Sequence, residues 1–202
     1  MTTFLRRSLW PAIALLIALT LVTGVIYPAV VTAIAQVAFP HQANGSFIET
    51  ADGRTIGSSL IGQCFQDDKY FWGRPSAAGA TDDNPCGYDG TSSAGSNLGP
   101  TSKALLDRIA ADVERLRRAN PDASGRVPVD LVTTSASGLD PEISPDAAEF
   151  QVPRVAKARG MSEDQVREYV ARHTEQPFLG ILGQPRVNVL ELNLDLDGLL
   201  AD

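Results

Sequence analysis

The sequence is poor in the residues that most enzyme chemistry needs. It has two histidines in 202 residues, His41 and His173, which leaves little for a histidine-based triad. No Gly-rich loop ends in Lys-Ser or Lys-Thr, so that kind of phosphate cradle is excluded. There is no Gly-x-Ser-x-Gly elbow to present a nucleophilic serine, and no His-Glu-x-x-His metal pattern. Two cysteines, Cys64 and Cys86, have no ligand partners at zinc spacing. These absences describe an accessory subunit better than an enzyme, and leave open an enzyme whose site follows none of these patterns.

Charge is absent from one long stretch. After Arg6 and Arg7, the 33 residues from Ser8 to Pro40 carry no formal charge and are rich in Leu, Ile, Val and Ala. A bilayer core of about 30 Å needs roughly 20 apolar residues, and a helix of this run would reach ~50 Å. The expectation is a transmembrane helix with an outward extension over 8–40, a short cytoplasmic N-terminus over 1–7, and an extracytoplasmic domain over 41–202. Trp10 and Tyr27 suit interface anchors, and Pro28 is expected to kink or end the span. A cleaved signal peptide is the competing reading, with Ala33-Ile34-Ala35 as the cleavage site. Its apolar region would be far longer than the usual ~7–15 residues. Arg6-Arg7 sets the orientation by the positive-inside rule, with the N-terminus inside. One such helix cannot form an ion path alone.

The remaining chain amounts to one domain. It holds 24 acidic against 15 basic residues, net −9, which argues against nucleic acid or anionic lipid headgroups as partners. In an exported domain Cys64 and Cys86 can join. A bridge would close a loop of about 22 residues, worth ~3 kcal/mol in the chain-entropy model. The alternative is two unrelated small residues.

Phe47 to Gln63 reads as a hairpin around Ala51-Asp52-Gly53-Arg54. Gly73 to Pro100 is rich in Gly, Ser, Pro, Asn and Asp, and reads as a long surface loop. Thr101 to Asn120 is a helix capped by Thr101 or Ser102, its apolar face made by Leu105, Ile109, Val113 and Leu116. Val127 to Thr134 reads as a strand. Ser144-Pro145 starts a short helix that Pro153 interrupts, and Gly160 ends the following turn. Ser162 to Gln165 is a capping box for the next helix. His173 lies on that helix's apolar face and reads as a core-edge residue, because no motif places an acid or nucleophile beside it. Val187 to Leu196 is a closing strand or a strand-to-helix transition. The sum is an α+β domain of a few strands and three or four helices.

Seven stretches in order resemble one family. They are Phe39 to Ser46, Gly57 to Gln63, Tyr70 to Ala77, Gly95 to Pro100, Ser135 to Pro141, Arg154 to Arg159, and Val187 to Asn193. The chain is similar over nearly its whole length to the C subunit of the Kdp potassium-transporting P-type ATPase. Thr81 to Asp89 is longer than usual for that family and brings in Cys86, and Glu142 stands where the family often has another residue.

The resemblance implies an accessory subunit in a bacterial inner-membrane complex. Its companions would be a P-type ATPase subunit and a channel-like potassium-binding subunit, which would handle ATP and K+ and leave this chain with no cofactor of its own. It also implies a catalytic chaperone that raises the ATPase subunit's nucleotide affinity. This chain has no Asp-Lys-Thr-Gly phosphorylation motif, so hydrolysis falls to a partner. Gln63 resembles part of a segment proposed to help hold nucleotide. The orientation, however, puts Gln63 across the membrane from cytosolic ATP, which makes any effect allosteric. Gln63 otherwise reads as a strand-end residue that satisfies loop backbone groups. Val30, Val31, Ile34 and Ala38 fall at helical spacing and could dock on a partner's membrane helix or face lipid. The small residues Ala12, Ala14, Ala18 and Gly24 would allow close approach. Arg74 suits a partner carboxylate or carbonyl, or it caps its own loop. The rival reading is a membrane-tethered exported binding module or enzyme acting alone, which needs a self-sufficient pocket.

Overall fold

The computed structural model describes residues 2–50, 53–79 and 86–200. The chain divides into two units, Met1–Phe47 and Ile48–Asp202.

The first unit is a run of helix. α1 (Thr2–Leu21) passes through a π turn (Val22–Ile26) into α2 (Tyr27–Ala38), and a short α3 (Pro40–Ala43) comes next. Arg7–Ala38, 32 residues, is long and apolar enough to cross a membrane, and none of its most apolar stretch is buried within the chain. Pro28 neither ends nor breaks this helix. It sits in the first turn of α2 directly after the π turn, where the wider hydrogen-bond spacing accommodates a residue that lacks an N–H. Pro11 lies inside α1 in the same uninterrupted way. α2 stops at Phe39, whose φ of −140° leaves the helical region. There Asn44 donates to the Pro40 carbonyl at 2.6 Å, and its amide pairs with that of Gln36.

The second unit belongs to the α+β class. β1 (Phe47–Glu49) and β2 (Thr55–Ser58) form the expected hairpin. Its turn residues 51 and 52 lie outside the described residues, and Gly53 has φ 78°, a conformation glycine adopts without strain. α4 (Lys103–Ala119) succeeds the loop and turns Leu116 fully into the core, with Ile109 and Val113 packed beside it.

The expected strand at 127–134 is instead a 3-10 turn, Val129–Leu131. Pro128 cannot donate to a ladder. The consecutive burial of Leu131 and Val132 also differs from the alternation of a half-buried strand. Asp130 in this turn accepts from the Ser144 N–H at 2.7 Å and so fixes the start of the next helix.

β3 (Glu142–Ile143) leads into α5 (Pro145–Arg159), capped by the Ser144 hydroxyl accepting from Ala147 N–H. α5 runs unbroken through Pro153. The proline costs about 3 kcal/mol in a helix interior. Burying Phe150, Val152 and Val155 at ~1.5–3 kcal/mol each exceeds that cost. Gly160, at φ 66°, closes α5 in the left-handed cap conformation that glycine favours. α6 (Glu163–Arg172) starts with the reciprocal capping box of Ser162 and Gln165. β4 (Thr174–Glu175) and β5 (Arg186–Asn188) come after it. β5 passes directly into α7 (Val189–Leu196), the strand-to-helix transition of the two readings. β5 is the centre of an antiparallel sheet in the order β3-β5-β4, pairing Ile143 and Thr174 with Val187. The core gathers between this sheet, α5, α6 and α7 around Val152, Val155, Val166, Val187 and Leu192.

Candidate functional site

The segment 62–76 carries Gln63, Cys64 and Arg74 of the residues singled out from sequence, and three devices hold it. The first is a disulfide: Cys64 and Cys86 are joined, their Cα atoms 5.2 Å apart, tying this segment to the long loop. The second is Tyr88, whose ring lies against two glycines. A Cβ at Gly62 would meet the ring at 2.5 Å and the Asp140 carbonyl at 2.9 Å, and one at Gly73 would meet the phenol oxygen at 2.6 Å. The phenol donates to the Arg74 carbonyl at 2.6 Å, and burial pushes its pKa well above the ordinary range.

The third device is a set of buried polar side chains that grip the backbone of 68–72. Asn193 accepts from Phe71 N–H at 2.8 Å and donates to Phe71 O at 2.9 Å. Gln151 does the same for Trp72, at 2.8 and 3.1 Å. The two amides thus serve as a sheet partner for a segment that has none. Arg154 donates to the carbonyls of Asp68 and Tyr70, to Asn120 Oδ1 and to Gln151 Oε1, and stacks on Trp72 with its guanidinium 4.2 Å from the ring centre. Burial lowers its pKa to about 10, so it stays charged at neutral pH.

Gln63 donates its amide to the Ile56 carbonyl at 3.1 Å, an acceptor within β2 and not in a loop, and Gly57 leaves the space for it. Arg74 bonds Asp140 at 2.8 Å and lies 3.4 Å from the carbonyls of Thr133 and Thr134, within its own domain. Both line a cleft of about 350 Å³ with Trp72, Tyr88, Arg108, Asp112 and Arg115. That volume is near the lower limit for small-molecule sites. Two of its arginines are closely paired within the domain, Arg74 with Asp140 and Arg108 with Asp112, while Arg115 lies 3.6 Å from the same Asp112, so three arginines face two carboxylates. A ligand there would compete with pairs already made. Among the described residues no group of three or more His, Cys, Asp or Glu could hold a metal.

His173 Nε2 lies 2.9 Å from Asp195 Oδ2 at the end of α6. An acid does therefore stand beside it, brought from α7, which no local motif could show. On α2, Val30, Ile34 and Ala38 recur every four residues along one exposed face, with Val31 next to it. Ala14 and Ala18 share a face of α1, whereas Gly24 falls in the π turn, which rotates the succeeding residues away from that face.

Sequence reasoning missed Gln151, Asn193, Arg154 and Asn120. The available signal was polar residues inside apolar runs, Gln151 between Phe150 and Val152 and Asn193 between Leu192 and Leu194, because a buried polar group must find a partner.

Residues 9–198 match the family described as KdpC: K+-transporting ATPase, c chain. Among curated proteins, the chain is 60% identical over 197 residues to the potassium-transporting ATPase KdpC subunit of Rhodopseudomonas palustris strain BisB18, covering 95% of this chain and 98% of that one. It is 60% identical over 188 residues to the subunit of the same name from Sorangium cellulosum strain So ce56, covering 93% and 96%. The like-named protein of Bradyrhizobium diazoefficiens is 59% identical over 197 residues, covering 95% and 96%.

Proposed function

The chain belongs to the KdpC family of K+-transporting ATPase c chains, and we propose from this that it is the single-pass accessory subunit of an ATP-driven potassium uptake pump in a bacterial inner membrane. Its companions are a P-type ATPase subunit, which hydrolyses ATP, and a channel-like subunit, which binds K+. The chain stabilises their assembly and raises the ATPase subunit's affinity for ATP.

The observation that carries the orientation is the Cys64–Cys86 bridge. Structural disulfides persist on the oxidising side of the membrane and are rare in the cytosol. Arg6 and Arg7 before the apolar helix favour the same arrangement, with the N-terminus inside and the domain outside. ATP is then on the other side. An effect on nucleotide affinity must be a coupling free energy between sites, typically 1–3 kcal/mol or about 5- to 150-fold. In the cleft beside Gln63, Arg74 and Arg108 are already engaged by Asp140 and Asp112, which agrees with this. The face of Val30, Ile34 and Ala38 on α2 supplies contact with a companion's membrane helix.

The test is a fluorescent-nucleotide titration of the purified complex with and without this chain, combined with thiol labelling from each side of sealed vesicles after reduction. The proposal expects ATP affinity at least fivefold higher with the chain present, and Cys64 and Cys86 labelled only from outside. Labelling from the cytosolic side, or an unchanged affinity, contradicts it.

A further inference from the structure

The connection between β4 and β5 stands out because it exposes what a soluble surface normally avoids. Phe178, Leu179, Ile181 and Leu182 are 69, 75, 78 and 58% exposed within five residues. This is an ordered hairpin. Phe178 and Leu182 exchange two backbone hydrogen bonds of 2.9 and 3.0 Å, and Gly180 N–H bonds the Pro177 carbonyl at 2.8 Å. Leu179 is held at φ 55°, a conformation that disfavours a bulky side chain, with Gly180 beside it at φ 73°. A Cβ at Gly180 or Gly183 would meet nothing within 4 Å, so the tip stands clear of its own domain. At its base Arg186 pairs with Glu175 at 2.6 Å and with Glu142 at 2.7 Å, which fixes the stem.

We propose that this apolar tip is a docking finger that seats in an apolar recess on a companion subunit of the same complex. The proposal rests on the reading of the chain as an accessory subunit. Contiguous exposed apolar groups on a rigid support are a mark of protein or membrane contact. Composition favours protein. Phe178 and the leucines suit either environment, but from Gln176 to Pro185 there is no Lys or Arg to meet headgroups and no Trp or Tyr to sit at a membrane–water boundary. The chain beyond residue 40 carries net −9, which opposes approach to anionic headgroups. The preformed hairpin also lowers the ordering cost of binding, as suits an anchor that fills a pocket.

The experiment places a benzophenone amino acid at Phe178 or Ile181 of the full chain in native membranes, with Glu168 on α6 as the control position. Tagged complex is purified after irradiation. Covalent adducts to a co-purifying subunit at 178 and 181, absent at 168, are the expected result. Adducts to lipid only, adducts to a second copy of this chain, or no adducts while the complex still co-purifies overturn the docking finger and leave the subunit reading standing. If no companion co-purifies at all, both readings fail. Ile181→Ser with Leu182→Ser is expected to leave the complex at least tenfold faster in mild detergent, and an unchanged rate counts against the proposal.

Discussion

Arg154→Met should destabilise the domain far more than Arg167→Ala, although Arg167 makes the greater number of ion pairs. Arg167 approaches three carboxylates, Glu149, Glu163 and Asp164, at 2.8–3.0 Å, and they raise its pKa further. Its side chain is 40% exposed, so screening and side-chain entropy hold its worth to about 1 kcal/mol or less. The four acceptors of Arg154 are all neutral oxygens, but the residue is only 6% exposed. Arg154→Met would leave two backbone carbonyls and Asn120 Oδ1 without donors inside the domain, and Gln151 Oε1 with the Trp72 N–H alone, at ~1–3 kcal/mol for each acceptor that water cannot reach. The recovered hydration of the guanidinium offsets part of that sum, so the net loss is about 3–5 kcal/mol. Arg167→Ala should cost no more than about 1 kcal/mol. Urea unfolding of the full chain in detergent reports this through Trp72, which lies in the grip of Gln151 and Arg154, once Trp10 is replaced by Phe. If the two variants unfold within about 1 kcal/mol of each other, or Arg167→Ala is the weaker protein, the reasoning about buried neutral acceptors is wrong.

Replacing Cys64 and Cys86 by Ser should lower stability by ~3 kcal/mol in the same unfolding assay, and an unchanged midpoint would show that the buried polar grip alone holds the segment. Partial burial raises the pKa of Glu142, against the opposing pull of Arg186. Its folded form therefore binds the proton more readily than its unfolded form, and stability falls as pH rises through the raised pKa. Wild type should gain stability relative to Glu142→Gln as pH drops from neutral toward the ordinary glutamate range; a constant difference across that window refutes it. Ile34→Asp places a charge on the exposed face of α2 and should strip the chain from its companions, read as lost co-purification.

Features set by local chemistry were legible. The charge-free run, the pairing of β1 with β2, the Ser162–Gln165 box and the Gly160 cap each arise from a few neighbouring residues. Where tertiary contacts decide, local signals failed. Pro153 reads as a break until the burial on both sides of it is known, and the apolar residues after Pro128 read as a strand with no partner to pair with. β3 and β4, two residues each, are too short to carry any periodicity and exist because β5 lies between them. At the candidate site, Cys64, Gln63 and Arg74 could be named from sequence. The acceptors of Gln63 and Arg74, and the long-range grip of Gln151 and Asn193 on residues 71 and 72, required the fold.

The most direct test is a mild-detergent pull-down of the C-terminally tagged chain from potassium-starved cells, with every co-purifying protein identified and its ratio measured. The account predicts a P-type ATPase and a multi-spanning potassium-binding protein in fixed stoichiometry with this chain. Recovery of the chain intact and alone would contradict it and favour a tethered module that acts by itself.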